Sequence, residues 1–421
     1  MPSGSTSWRR VVDVRPEETG PLVWSFGFFF CVLASYYLVR PLREEMAIQY
    51  GAARVQHLLT ATFVAMLVLV PLFGWLVKRL PPQRLLPAVY LGCAVVMLGF
   101  FAALQSGVAR VVLAPAFFVF VSVFNLFAVS VFWSFMADLF ASDAAKRLFG
   151  FISAGGSLGA IVGPAGAATL VPWLGANTLL LAAAGVLLLS LLCITRLVPH
   201  LPPKRGRLAP PRVRLMEGIV RIARSRYLAA VCVFLVCYTL LGTFLYFQQL
   251  SLVKAAIASS AERTRLFAKL DLLVNVVSLV AQLTLTGKVL PKWGLTASLV
   301  ALPLVSVVGF AGLGWHTTLT VLVVFGAVRR VGEFAVSKPS REALFTVVSS
   351  EDKYQAKNVI DTLVHRGGDA LSGWVATGLT GAGLSLSGLA FVGVPVAFLW
   401  AGTALYLGRQ HERLAEAAPR R

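Results

Sequence analysis

Charge is scarce in this chain of 421 residues: Asp, Glu, Lys and Arg together make up 13%, and only 18 residues are acidic. Cysteine is rarer still. None of Cys31, Cys93, Cys193, Cys232 and Cys237 stands in a CxxC or Cys/His spacing, so they read as small apolar packers rather than metal ligands or a disulfide framework. There is no GxxxxGK[ST] loop, which excludes nucleotide hydrolysis at a P-loop as an energy source. Residues 1–20 are polar and include Asp13, Glu17 and Glu18, unlike an acid-poor transit peptide, and no small-residue cleavage site follows. The first apolar run is therefore expected to act as its own uncleaved insertion signal. No metal and no cofactor are expected.

What is abundant is apolar surface. Hydrophobic residues make up 57% of the chain and the mean hydropathy is +0.79. The apolar runs recur at about 20 residues, the length that crosses a bilayer as a helix. The expected fold is an all-α polytopic membrane protein, not an enzyme, with twelve transmembrane helices near 22–47, 55–79, 85–105, 111–139, 144–171, 175–197, 227–254, 266–290, 294–314, 317–347, 353–380 and 387–408. A net charge of +20 would point to nucleic acid in a soluble protein. Here Lys and Arg gather in alternate loops instead, with dense clusters between 196 and 226 and from 409 onward. By the positive-inside rule both termini are expected in the cytoplasm of a bacterial inner membrane, with the bilayer rather than nucleic acid as partner.

A Pro- and Arg-rich segment, 199–226, separates a six-helix bundle at 1–198 from a second at 227–421. Within it, residues 216–226 pair apolar Met216, Ile219, Val220 and Ala223 with Arg221, Arg224 and Arg226. Two readings stand: a helix on an anionic membrane surface, or a solvated linker. The two bundles echo each other. FAVS occurs at Phe127–Ser130 and again at Phe334–Ser337, Lys146 corresponds to Lys353, and Gly155-Gly156 to Gly367-Gly368. A duplicated six-helix unit whose halves rock about a midplane site is a transporter layout.

Several spans carry charge that the bilayer disfavours by roughly 2.5–3.5 kcal/mol per group near its centre. Span 10 holds Arg329, Arg330, Glu333, Lys338, Arg341 and Glu342. On a continuous helix Arg330, Glu333, Ser337 and Arg341 share one face, with Pro339 straining the backbone between them. Span 1 ends in Arg40, Arg43, Glu44 and Glu45; these line a pathway or merely cap the span. Span 11 sets Asp361, His365 and Asp369 four apart beside Arg366, which suits proton coupling or a structural Arg366 to Asp369 network. In span 4, Asn125 offers a ligand contact or a helix-to-helix hydrogen bond. Gly155, Gly159 and Gly163 in span 5 form a packing surface.

Candidate substrate-binding residues are thus Arg40, Arg43, Asn125, Arg330, Lys338, Arg341 and Arg366, a cationic set suited to carboxylate or phosphate. Glu44, Glu333, Asp361, His365 and Asp369 would balance charge or couple an ion. Asp138, Lys146, Arg147 and Lys353 are candidate gating residues.

Two resemblances sharpen this reading. Gly150-x8-Gly159-x3-Gly163-Pro164 is similar to the glycine motif of antiporters in the major facilitator superfamily, although Ala167-Ala168 replaces its closing glycine pair and Lys78 stands where its loop motif has an Asp. LVRPLREE (38–45), AKRLFGFISAGGSLGAI (145–161) and KPSREALFTVVSSEDKYQAKNVIDTLVHRGG (338–368) resemble the bacterial and plastid-type ATP/ADP translocases. Arg40, Arg43 and Glu44 occupy the places of that family's Arg-x-x-Lys-Asp pattern, and Asp369 departs from it where a basic residue is the rule. The resemblance implies a small phosphorylated or otherwise anionic substrate. The expected function is secondary active transport of an organic anion, a nucleotide among the candidates, by a monomer. The alternatives are a proton-coupled exporter of amphipathic compounds and a non-transporting membrane protein.

Overall fold

A computed structural model describes residues 14–201, 215–348, 356, 357 and 359–417, without the side chains at 77, 78, 142, 146, 215, 285–291 and 417. Every regular element among them is helical: α1 (Thr19–Tyr50), α2 (Val55–Arg79), α3 (Pro82–Gln105), α4 (Arg110–Leu139), α5 (Ser142–Leu174), α6 (Leu179–Leu197), α7 (Leu215–Arg224), α8 (Arg226–Ala256), α9 (Ser260–Ala281), α10 (Gly287–Trp315), α11 (Leu319–Gly332), α12 (Lys338–Ala343), α13 (His365–Gly381) and α14 (Leu386–Ala417). Among the described residues ten helices are long and apolar enough to cross a membrane. The chain is a polytopic all-α membrane protein.

Of the two other expected spans, 317–347 is present as a broken helix, and 353–380, whose first residues lie outside the described ones, is interrupted in its described part. A π turn, Glu333–Ser337, separates α11 from α12, and another, Ile360–Val364, precedes α13. Pro339 explains the first. It has no N–H, and its ring would press on the carbonyl four residues back, so a wider turn just upstream relieves the clash. The second FAVS (334–337) is therefore π-helical, whereas the first (127–130) lies in unbroken α4.

The chain divides into two compact units. One comprises Met1–Tyr50, Val64–Leu208 and Ser259–Leu272, the other Gly51–Phe63, Ala209–Ala258 and Leu273–Arg421. The first half of α9 thus packs with the first unit, and the start of α2 with the second.

In the first unit α1 is the axis, packed on α4, α5 and α6. Phe29 stacks on Phe132 with ring centroids 4.3 Å apart, and Phe28 meets Tyr90 and Phe132 edge-on. The glycine stripe of α5 lies directly on the α1 backbone. A Cβ at Gly163 would stand 2.7 Å from the Ala34 carbonyl oxygen, and one at Gly159 would overlap the Phe30 carbonyl. Glycine is required there because two backbones touch.

In the second unit α10 packs along α14, and α8 lies against α13 and α14. Buried Phe234, Phe244, Phe310 and Trp400 fill the interior. Trp374 Nε1 donates to Thr60 Oγ1 at 3.0 Å and its ring meets His57 edge-on, which holds residues 51–63 in this unit.

Candidate functional site

Each unit contains its own cluster of charged side chains within membrane-spanning helices. In the first unit the cluster sits on the last turns of α1, where Pro41 removes one backbone hydrogen bond between Arg40 and Arg43. Arg40 forms an ion pair with Asp271 of α9, whose side chain is 4% exposed. Arg43 pairs with Glu44, donates from Nη1 to Ser122 Oγ of α4 at 3.3 Å, and lies 5.0 Å above the Phe118 ring. Asn125, one turn beyond Ser122, is half-buried. Glu45, wholly buried, accepts from Arg263 Nε at 2.7 Å and Nη2 at 2.8 Å, and from Gln49 Nε2 at 2.8 Å.

These pairings revise the sequence-based tally. Arg40, Arg43 and Arg263 face Asp271, Glu44 and Glu45, so cations do not outnumber acids here. The expected span 8 began at 266, which left Arg263 in a loop; α9 begins at Ser260, and Arg263 is buried. Asp271 is a site residue that the sequence reading passed over, and Glu45, named there at the end of span 1, was not among its candidate binding or charge-balancing residues. For Glu45 the signal was its adjacency to Glu44, whereas Asp271 gave none beyond being an acid inside an apolar span.

In the second unit Tyr238 of α8 is the hub. Arg329 of α11, 7% exposed, donates from Nη2 to the Tyr238 carbonyl at 3.1 Å and holds its guanidinium 5.1 Å from the Tyr238 ring. Gly242, one turn along α8, leaves the space this guanidinium needs: a Cβ there would come within 3.4 Å of it. Arg341 of α12 approaches the same ring at 5.8 Å and pairs with Glu333 at 3.7 Å. The His365 ring lies 5.8 Å from the Tyr238 ring. His365 Nδ1 and Arg366 Nη1 approach one oxygen of Asp369 at 3.9 Å and 3.7 Å. Two guanidiniums, of Arg329 and Arg341, thus share one aromatic ring, and that of Arg366 approaches Asp369 beside His365. The ion pairs are long, so a ligand can compete for their charges at less cost than for a tight pair.

The π turns correct two expectations of shared helix faces. On an unbroken helix Arg330 would align with Arg341; the wider turn at Glu333–Ser337 brings Arg329 to the Tyr238 hub instead and leaves Arg330 half-buried on α11. The turn at Ile360–Val364 likewise takes Asp361 out of register with His365 and Asp369, and Asp361 is exposed. Lys338 is also exposed.

Of the candidate gating residues, Arg147 pairs with Glu18, Nη2 to Oε1 at 2.9 Å, and Asp138 is exposed at the end of α4. Lys353 and the Lys146 side chain lie outside the described residues. Lys357 pairs with Glu342. The cysteines are free thiols, and among the described residues no group of three or more His, Cys, Asp or Glu is placed to hold a metal ion.

Similarity to known proteins agrees with this architecture. The chain is 24% identical over 233 residues to "ADP,ATP carrier protein 2" of Chlamydia pneumoniae, which covers 49% of this chain and 43% of that one, so less than half the length of this relative is matched. Among solved structures it resembles a crystal structure of the nucleoside transporter NupG, with a TM-score of 0.62, 18% identity and coverage of 94% of this chain and 99% of that one. An auto-inhibited POT family peptide transporter matches with a TM-score of 0.62 at 15% identity, covering 95% and 98%. At these identities the solved structures speak to the fold alone. Residues 25–337 match the profile of the Major Facilitator Superfamily, and the chain belongs to that superfamily.

Proposed function

We propose that this protein is a secondary active transporter that moves a small organic anion across a bacterial inner membrane by alternating access, working as a monomer with both termini in the cytoplasm and catalysing no chemical reaction. Superfamily membership supports the transporter reading. The observation that carries the choice of an anion is the meeting of Arg329 and Arg341 on the Tyr238 ring, with Glu333 paired to Arg341 and Asp369 to Arg366. Guanidiniums kept in an apolar environment at a cost of roughly 2.5–3.5 kcal/mol each are expected to serve a ligand. Their planar donors suit carboxylate or phosphate oxygens held two at a time.

A nucleotide is the favoured member of this class. The similarity to the ADP,ATP carrier protein supports it. Arg40 and Arg43 would hold anion charge within their own unit when it displaces Asp271 or Glu44, and Lys338 would contribute charge in the second. Asp361 would balance charge and Asp138, Lys146, Arg147 and Lys353 would act at the gates. A screen of purified protein by thermal shift against nucleotides, sugar phosphates and dicarboxylates tests the class. Stabilisation by one of these groups is expected, and stabilisation by none of them would refute it.

One observation favours a second reading. His365 and Asp369 stand 3.9 Å apart beside Tyr238, an arrangement that could carry a coupled proton for export of an amphipathic compound. Transport that needs a proton gradient, fails in Asp369→Asn and is indifferent to added anions would select it.

A further inference from the structure

The basic segment after α6 plays no part in the site above. From Lys204 to Arg226 the sequence holds Lys204, Arg205, Arg207, Arg212, Arg214, Arg221, Arg224 and Arg226 against one acid, Glu217. Helix α7 lies within this stretch and packs against α8, from which only Ser225 separates it. Since α8 spans the membrane from Arg226, α7 is held at headgroup depth.

The exposed side of α7 is its apolar side. Met216, Ile219, Val220 and Ala223 recur at i, i+3, i+4 and i+7, and all four are exposed, Met216 to 71%. Gly218 faces inward. Arg221 and Arg224 lie along one edge of the apolar stripe, with Glu217 between them. A groove of about 550 Å³ runs beside it, with Met216, Val220 and Leu228 on its apolar side and Glu217, Arg221 and Arg224 supplying polar groups, two cations against one acid. An exposed apolar stripe edged by arginine at headgroup depth is complementary to an anionic phospholipid: acyl carbons against Met216 and Val220, phosphate oxygens against the guanidiniums.

We propose that α7 is an interfacial helix and that the groove at Arg221 and Arg224 binds an anionic phospholipid. The other end of the same segment has similar chemistry. Where α6 ends, a groove of about 600 Å³ is lined by Trp24, Leu192, Arg196 and His200, with Arg196 lying 5.9 Å from the Trp24 ring. Trp beside Arg at a span terminus is typical of the membrane-water boundary.

Native mass spectrometry and thermal shift of the full chain test this. Purified protein is relipidated with phosphatidylglycerol or with phosphatidylcholine, as wild type and as the Arg221→Gln/Arg224→Gln and Met216→Asn/Val220→Asn variants. The expected result is that wild type retains phosphatidylglycerol in preference and gains thermal stability from it. The arginine variant should bind it about fivefold more weakly for each arginine removed, and the asparagine variant, which removes the apolar contact without changing charge, should lose the retained lipid. Equal midpoints for all three proteins in phosphatidylcholine show that folding is intact. Equal retention of both lipids by wild type, or unchanged phosphatidylglycerol binding by the arginine variant, would overturn the proposal. So would a variant that changes only the mass of a protein complex, because the groove would then serve a protein partner.

Discussion

Arg263 holds Glu45 through two donors of its guanidinium, Nε to Oε2 at 2.7 Å and Nη2 to Oε1 at 2.8 Å, and the Glu45 side chain is wholly buried. Residues 218 positions apart in sequence thereby join α1 to the first half of α9. With Asp271 on Arg40, this pair anchors Ser259–Leu272 in the first unit.

Breaking that pair on one side leaves a charge buried without its counter-charge, at a cost of about 3–5 kcal/mol. Glu45→Gln and Arg263→Met are each expected to lower the thermal midpoint of the purified protein strongly. The double variant Glu45→Met/Arg263→Met should recover much of the loss, because neither charge then remains. A double variant no more stable than the singles would show that the residues act independently.

Gly159 lies where α5 meets the α1 backbone, and a Cβ there would overlap the Phe30 carbonyl and stand 2.9 Å from the Ala34 nitrogen. Gly159→Ala is expected to cost about 1–3 kcal/mol by forcing the helices apart. Gly150→Ala on the same helix, with open space around the new carbon, is the control and should leave the midpoint unchanged or raise it slightly, since Ala suits a helix better than Gly. Equal effects at both positions would contradict the close packing.

Tyr238 carries Arg329 and Arg341 over one ring. Tyr238→Phe keeps the ring and should retain anion binding close to wild type. Tyr238→Leu removes a cation–π contact worth about 0.5–2 kcal/mol for each guanidinium, so a several-fold rise in anion Kd is expected by isothermal titration. Tyr238→Phe weakening binding as much as Tyr238→Leu would point to the hydroxyl instead.

Asp271→Asn leaves Arg40 facing an uncharged amide in a nearly closed environment, since the Asp271 side chain is 4% exposed. The variant should be less stable than wild type without ligand. If a substrate anion takes the vacated place, adding it should raise the midpoint of the variant more than that of wild type. An equal or smaller rise would mean that substrate does not reach Arg40.

How far the sequence carried depended on which physical signal was in play. Hydropathy marked the spans, and Val55–Arg79 and Arg110–Leu139 lie within a residue of expectation, because apolar length alone sets a membrane helix. The contact between α5 and α1 was readable from glycines four apart. The wheel-based faces at Arg330 and Asp361 failed because both crossed π turns. A turn of that kind arises from Pro339 and tertiary packing, neither of which periodicity encodes. Tyr238 was hidden because an aromatic residue in an apolar span resembles its neighbours; only the converging guanidiniums distinguish it. Asp271 was hidden for a related reason, since its counter-charge lies 231 positions away.

Counter-exchange in proteoliposomes probes anion transport most directly. Vesicles preloaded with unlabelled nucleotide, sugar phosphate or dicarboxylate are given the labelled compound outside, with wild type and Arg341→Gln side by side. Saturable uptake of one anion class that requires internal anion, and falls at least about tenfold in Arg341→Gln as loss of a charge-assisted contact implies, is the expected result. Absence of exchange for all three classes, or uptake unaffected by Arg341→Gln, would contradict it.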